Sequence, residues 1–251
     1  MHKLTAIIPT GNEIHNIEAV IASIDFADEI LVVDSFSTDG TFEKAQELAT
    51  KVIRREYEYS ASQKNWAIPQ ATHEWILLVD ADERVTPELK IEILEILKDP
   101  DPNIVAYKIG RINHFMGERV QYSGWRNDKV TRLFKRDFCI YEDKHVHAEI
   151  IANGETATLK NKFLHYSYTT LDKYIEKMNR YATWQAKDYD PKTGPLTPYH
   201  FVLKPFWGFF KHYIVQSGFR DGVVGLTIGY MQGYVVFMRY VKLWLLRRNR
   251  E

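Results

Sequence analysis

The chain has 251 residues, with 33 Lys and Arg against 33 Asp and Glu, so its formal net charge is zero. That balance removes any general electrostatic case for nucleic acid as a partner. A hydrophobic share of 45% and a charged share of 26% belong to a globular chain with a sizeable core. One cysteine, Cys139, excludes an internal disulfide and is compatible with a reducing compartment.

The N-terminal MHKLTAIIPT carries only a short apolar run and no cleavage pattern, so it is not expected to be a secretory signal. LTAIIPT reads as a β-rich run ended by Pro9. Asn12 is placed to cap a helix whose apolar residues Ile14, Ile17, Val20, Ile21 and Ile24 fall at helical spacing. EILVVD (29–34) is a second strand, STDGT a turn and helix start, FEKAQELA a helix and KVIRRE a third strand. Ser62 to Pro69 reads as a helix. WILLVD is a fourth strand, and Thr86-Pro87 opens the helix PELKIEILEILK with proline at the favoured first position. Strands alternating with helices predict an α/β fold: a mostly parallel, Rossmann-like sheet with helices on both faces.

Charge divides the chain. From Phe201 onward eight basic residues stand against Asp221 and Glu251, leaving +6 there and −6 in residues 1–200. We therefore expect one domain over 1–200 and a basic, aromatic helical extension over 201–251. In the extension, Gly225, Gly229 and Gly233 recur every four residues on one helix face. They predict either a buried helical hairpin or a homodimer seam. The uncharged run 222–238 is short for a full membrane span, so amphipathic helices lying at a membrane surface are expected instead.

In sheets of this kind ligands bind beyond the C-terminal ends of the strands. Pro9-Thr10, Asp34, and Asp80 with Asp82 all stand there. If Asp80 and Asp82 continue the extended backbone, their side chains share one side. Their mutual repulsion then calls for a divalent cation, Mg²⁺ or Mn²⁺, bound together with substrate phosphates. An isolated Asp-x-Asp also marks ordinary solvated turns, and Asp34 can simply organise the turn that follows it.

Taken together, AIIPTGNEIHNI (6–17), ILVVDSFSTDGT (30–41), QKNWA (63–67) and LLVDADE (77–83) resemble the inverting family 2 glycosyltransferases of the GT-A fold. RLFKRD (132–137), DKHVHAE (143–149) and LHYSYTTLDKYIEKMNRYA (164–182) look like the branch containing bacterial lipopolysaccharide-core β-glucosyltransferases. The resemblance thins after about Asp190. It departs at Gly11, where an aromatic or Cys-Lys-type residue is commoner, and at Lys64, where arginine is common and a point charge replaces a bidentate fork.

The resemblance implies roles. Pro9, Thr10 and Glu13 line the nucleotide pocket, and Asp34 accepts a hydrogen bond from the base. Lys64 and Asn65 hold base or phosphates. Asp80 sits near the ribose and the metal, Asp82 binds the metal, and His147 contacts metal or diphosphate. Asp143 is the first candidate for the base that deprotonates the acceptor, Glu142 the second and Asp128 the third. Trp125 and Arg132 position donor or acceptor, although a buried Trp and a salt-bridged Arg are ordinary structural residues. His145 and His147 have zinc-ligand spacing but lack partner motifs.

The expected enzyme is a metal-dependent hexosyltransferase moving sugar from a nucleotide-diphosphate donor, UDP-hexose first, to a lipopolysaccharide-core or other membrane-linked glycan. It would be cytoplasmic and peripheral on the inner face of the cytoplasmic membrane. The alternatives are a sugar nucleotidyltransferase, whose Gly-rich phosphate loop PTGNEIHN does not supply, and a non-catalytic nucleotide-sugar-binding scaffold.

Overall fold

The computed structural model describes residues 2–145, 148–168 and 170–249. The chain packs into two compact units, Met1–Arg111 with Lys129–His165, and Ile112–Asp128 with Tyr166–Glu251. The expected boundary at residue 200 falls inside the second unit.

In the first unit the chain runs β1 (Leu4–Thr10), α1 (Ile14–Ser23), β2 (Glu29–Asp34), α2 (Thr41–Leu48), β3 (Lys51–Arg54), α3 (Ser60–Ala67), β4 (Trp75–Leu78), β5 (Glu83–Arg84) and α4 (Pro87–Lys98). Then come β6 (Ile104–Phe115), β7 (Glu118–Arg119), β8 (Lys129–Lys135), β9 (Cys139–Tyr141), β10 (Ile150–Ala152) and β11 (Glu155–Ser167). The ends of β6 and β11, and all of β7, are counted with the second unit.

The sheet order is β3-β2-β1-β4-β8-β6-β11-β5, with β7 paired to β6. The first four strands are parallel, as the alternation of strands and helices predicts. Beyond β4 the sheet continues with antiparallel pairs, β4 to β8 and β8 to β6.

Side-chain alternation explains why β1 and β2 read as unbroken apolar runs. Leu4, Ala6, Ile8 and Val32 face a layer with Ile17 and Val20 of α1 and Leu89, Ile93 and Leu97 of α4. Ile7, Leu31, Val33, Ile76 and Leu78 face the other layer, with Ala61 and Ala67 of α3. Truncating one of these side chains, as in Ile8→Ala, costs about 2–5 kcal/mol.

Helix α4 starts as expected, with the Thr86 hydroxyl accepting from Leu89 N at 3.2 Å. Asn12 does not cap α1. It takes a left-handed conformation, φ 55, and its side-chain oxygen accepts from Thr38 N at 2.9 Å. The free N–H groups at the start of α1 are met from the turn after β2 instead: Asp39 accepts from Ile14 N and Thr41 from Glu13 N.

In the second unit, α5 (Leu171–Tyr189) buries Tyr174, Met178, Ala182 and Ala186, one residue per turn, and packs on α8 (Gly222–Leu246). Between them in sequence are the short α6 (Pro198–Phe201), α7 (Leu203–Phe210) and a π-helical turn at Lys211–Val215. The glycine stripe belongs to a hairpin. A Cβ on Gly225 would stand 1.8 Å from Gly218 O, one on Gly229 3.1 Å from Tyr213 Cβ, and one on Gly233 3.0 Å from Pro205 O. Gly208 closes the far end against Gln232 O. Only glycine fits at Gly225, and at Gly208, Gly229 and Gly233 an added Cβ would press tighter than ordinary contact, so α8 lies close against α7 and the turns that follow it. Among the described residues no helix is long and apolar enough to cross a membrane.

Candidate active site

Parallel register sets the site's first edge. Thr10, the last residue of β1, lies opposite Asp34, the last of β2. Asp34 is fully buried. Its Oδ2 accepts from Ser37 N at 3.0 Å and stands 3.5 Å from Arg54 Nε. Its Oδ1 is buried without a hydrogen-bond partner, as is the neighbouring Thr10 Oγ1. Glu29, at the other end of the same strand, provides a contrast. It accepts from Thr5 Oγ1 at 2.6 Å and from Thr72 N and Oγ1 at 2.8 Å, so both its oxygens are engaged. Burial alone would raise the Glu29 carboxyl, but these hydrogen bonds hold it below its ordinary value. A buried carboxylate can be a finished structural part, and Asp34 is not one.

The loops beyond β1 and β2 are laced together. Asn12 N donates to Ser37 Oγ at 2.8 Å, and a Cβ on Gly11 would stand 3.3 Å from Ser35 Cβ. That close approach explains the small residue at Gly11. Glu13 accepts from Asn16 Nδ2 at 2.7 Å. Phe36 holds φ 55, a strained conformation for a bulky residue, with its ring 50% exposed two residues beyond Asp34.

The second edge corrects the extended-strand expectation. β4 ends at Leu78, and the chain turns so that Glu83 N donates to Asp80 O at 2.9 Å and Asp80 N to Glu83 Oε2 at 3.0 Å. Asp80 and Asp82 therefore bond different partners. Asp80 pairs with Lys64 Nζ at 3.0 Å and with the Arg132 guanidinium. Arg132, 3% exposed, also donates to the fully buried Glu83 at 3.0 Å, and Arg111 reaches Glu83 at 3.3 Å. Burial alone would raise the Asp80 carboxyl, but the charges of Arg132 and Lys64 outweigh it and hold Asp80 well below the usual carboxylate range. Burial pulls the Arg132 guanidinium down, and Asp80 and Glu83 more than offset it.

Asp82 is 28% exposed, and its Oδ2 lies 3.5 Å from His165 Nε2. His165 arrives there because β11 pairs antiparallel with β5, opposite Glu83.

Asn65 spends its amide on the backbone of β9, accepting from Tyr141 N at 2.8 Å and donating to Tyr141 O at 2.9 Å. It anchors the strand leading to the 142–145 loop. In that loop Asp143 is exposed and accepts from the Tyr59 hydroxyl, and the His145 ring lies 4.9 Å from the Tyr59 ring. Glu142 is paired with Lys144 at 2.8 Å and accepts from Glu149 N at 3.1 Å. Those two interactions hold its carboxyl below the ordinary value. His147 lies outside the described residues. Trp125 and Asp128 belong to the second unit, where Trp125 packs edge-on to Phe115 and Asp128 accepts from Asn113 at 3.1 Å.

The sequence profile of glycosyl transferase family 2 matches residues 5–152, more than half of the chain, including the ends of β1, β2 and β4. The chain belongs to glycosyl transferase family 2. The sugar nucleotidyltransferase alternative falls with that match.

This glycosyltransferase is 30% identical to a protein of Rickettsia felis named an uncharacterized glycosyltransferase, over 97% of this chain and 90% of that one. It is 28% identical to the lipopolysaccharide core biosynthesis glycosyltransferase LpsC of Rhizobium meliloti, over 94% and 93% of the two chains. Among solved structures, its fold is shared with the mannosyltransferase PcManGT from Pyrobaculum calidifontis in complex with GDP-Man and Mn²⁺. The TM-score is 0.55 at 18% identity, over 97% of this chain and 87% of that one. The architecture is thus the GT-A glycosyltransferase fold with a C-terminal helical segment.

Among the described residues no three His, Cys, Asp or Glu side chains gather as a complete metal cage. The donor set still suits a hard or borderline cation held partly by substrate. An Asp82 oxygen and a His165 nitrogen 3.5 Å apart can both reach one ion at about 2.0–2.2 Å. Asp80, already neutralised by two cationic side chains, is the weaker candidate ligand. Sequence reasoning missed His165, Glu83 and Tyr59. Glu83 stood inside LLVDADE and could have been suspected, whereas His165 and Tyr59 reach their partners only through the fold.

Proposed function

We propose that this glycosyltransferase moves a hexosyl group from a nucleoside diphosphate sugar, UDP-hexose first, to a hydroxyl of a lipopolysaccharide-core or other membrane-linked glycan, inverting the anomeric carbon. It would work at the inner face of the cytoplasmic membrane. The observation that carries the reading is the buried, partnerless Asp34 Oδ1 beside the equally partnerless Thr10 hydroxyl. An unmet buried acceptor costs free energy, and a nucleobase N–H bound at the strand ends meets it. The name of LpsC supports the acceptor class, and the GDP-Man and Mn²⁺ held by PcManGT support a nucleotide sugar with a divalent ion.

In this reading Asp34 takes the base N–H while Arg54 steadies its other oxygen. Phe36 offers its exposed ring to the face of the base. Lys64 and Arg132 keep Asp80 ionised, so it remains an acceptor for ribose hydroxyls. Asp82 and His165 would hold Mg²⁺ or Mn²⁺, whose charge stabilises the diphosphate as it leaves. Asp143 receives the proton of the acceptor hydroxyl while that oxygen attacks the anomeric carbon from the face opposite the diphosphate. The Tyr59 hydroxyl holds Asp143 Oδ1, so Oδ2 is the oxygen directed to the proton. Glu142 is the poorer base, since Lys144 and Glu149 N both stabilise its charged form.

The test is release of free nucleoside diphosphate from UDP-glucose, UDP-galactose and GDP-mannose, with and without Mn²⁺, in the presence of a truncated lipopolysaccharide core. Metal-dependent UDP release that requires the acceptor is expected. Use of GDP-mannose alone would remove the uridine assignment, and silence with every donor would remove the transfer reading.

A further inference from the structure

We infer that the α7–α8 hairpin is a membrane-lying surface, seating its open aromatic and aliphatic face in one leaflet chiefly by apolar burial rather than by charge. The inference stands apart from the donor-transfer reading, because seating on lipid needs no sugar donor.

The hairpin has two faces with different duties. The inner face is closed by Gly208, Gly225, Gly229 and Gly233, and by Phe209 against Tyr230 at 5.0 Å between ring centres. The outer face has no such partner. Along α7 and the π-helical turn, the exposed large side chains are Val202, Leu203, Phe206, Trp207, Ile214 and Val215, spaced by whole helical turns. Beyond it the same pattern runs through Phe219 of the following turn and through Val223 and Leu226 of α8. Trp207 is 57% exposed and Val223 79%. The face runs on the order of 20 Å along α7 and its continuation, too large for a stray exposed side chain.

Charge selects the occupant. Between residues 201 and 249 the only acidic residue is Asp221. It is turned onto residues of its own unit, accepting from Gln121 N, Tyr122 N and Ser123 Oγ at 2.9–3.1 Å. The outer face therefore carries no negative charge, and Lys211 and Arg220 are exposed beside it. A second copy of the same face would bring like charges together, whereas an anionic bilayer surface meets them. Tyr and Trp side chains, apolar with one polar atom, suit the headgroup boundary. Because none of the described helices can span, the hairpin lies in the plane of the surface.

The structure also limits the electrostatic share. Lys204 donates to Tyr240 OH at 2.7 Å, Arg239 to Gln185 at 2.9 Å, Lys242 to Thr183 at 2.8 Å and Arg247 to Asp190 at 2.7 Å. Four of the eight basic residues from Phe201 onward are thus engaged inside the second unit. Salt should weaken the contact only modestly, since apolar burial is not screened.

The test is flotation of the full chain with vesicles of neutral phosphatidylcholine and with vesicles containing about a third anionic lipid, at low and high salt. Binding to both is expected, with less than about a tenfold loss at high salt. The triple variant Phe206→Ser, Trp207→Ser, Val223→Ser should bind at least tenfold more weakly, and its unchanged thermal melting would exclude misfolding. As a second reading, an environment-sensitive dye on V223C should shift to the blue with vesicles. No binding to either vesicle overturns the inference, as does binding confined to anionic vesicles and abolished by salt. Unimpaired binding by the triple variant, or a dimer in sedimentation that the triple variant dissolves, overturns it equally.

Discussion

The two units spend their apolar residues in opposite ways. In the first, β1 and β2 are covered on both faces, and alternate side chains close two separate layers around one sheet. In the second, the buried clusters are small, and the glycine seam lets a hairpin close without using its outer aromatic face. Polar groups follow the same division. The first unit buries Asp34 and Glu83 at strand ends and Arg132 within β8, while the second ties Lys204 and Arg239 to a local hydroxyl and amide. Burial of unmet or charge-paired polar groups marks a site for a small polar ligand. Exposure of organised apolar ones marks a site for a large apolar partner.

The sharpest way to break that comparison is to remove chemistry from the first unit and look for consequences in the second. Asp82→Ala should reduce transfer by about 10³-fold or more, the range reached when a group stabilising a developing charge is lost. Its melting and vesicle flotation should match wild type. Retained transfer in Asp82→Ala would place the metal elsewhere. Asp143→Asn should lower kcat by about 10²–10⁴-fold with donor affinity nearly unchanged. Should Glu142→Gln be the inactive variant instead, the base is Glu142, despite its Lys144 contact.

The next effect is on stability. Glu83→Gln keeps the volume but removes the negative charge shared by Arg132 and Arg111. Breaking a buried pair from one side costs about 3–5 kcal/mol. Denaturant unfolding should show this loss, and hydrogen exchange should speed up in β4 and β8 while α7 and α8 keep their protection. Equal loosening of both would show that the units melt as one.

The legible parts of the molecule were those set by local pattern. The parallel half of the sheet follows from the apolar runs at Leu4, Glu29 and Trp75 and the helices between them. Helix α4 follows from Thr86-Pro87. The bend at Asp80 was hidden because Val79 extends the apolar run, and Val79 N still donates to Ile7 O at 3.0 Å beyond the end of the strand. Nothing near Asp82 announces His165, which arrives only through antiparallel pairing of β11 with β5. The glycine period was visible at once, but a period cannot name its partner. Nor does a +6 tail show that Arg239 and Arg247 are already bonded to Gln185 and Asp190, outside it.

A smaller effect separates base recognition from the rest of the strand-end site. Phe36→Ala removes an exposed ring beside Asp34 and relieves a bulky residue from a left-handed backbone. Loss of one base–aromatic stack is worth about 1–3 kcal/mol. Donor affinity should fall by about tenfold or more, while Mn²⁺ dependence stays as in wild type. Unchanged affinity for UDP in titration calorimetry would leave Asp34 and Thr10 as the recognition groups without a stacking partner.

The smallest expected effect belongs to the second unit alone and comes from His212. Burial pushes its imidazole below the ordinary value, and the neighbouring Lys211 adds to that, against a hydrogen bond with the Ser123 carbonyl. The carbonyl can only accept, so Nδ1 carries the proton in that 3.0 Å contact. The folded chain therefore holds a neutral ring at a pH where the unfolded chain's histidine has begun to charge. As pH falls below about 6.5, the ordinary histidine value, protons bind the unfolded state first and stability is lost. Above that pH the contribution is complete. The same contact helps tether the 121–123 loop to the hairpin, together with Asp221 and the Gln216 carbonyl, which accepts from Ser123 N at 3.2 Å. Hydrogen-exchange protection of the hairpin and the loop, corrected for the intrinsic exchange rate at each pH, should therefore fall between pH 7 and pH 5 more than that of β1 and β2. His212→Gln, which keeps a donor without a titrating group, should flatten this dependence. A pH profile identical in wild type and His212→Gln would show that the imidazole stays neutral, or charges without consequence, across that range.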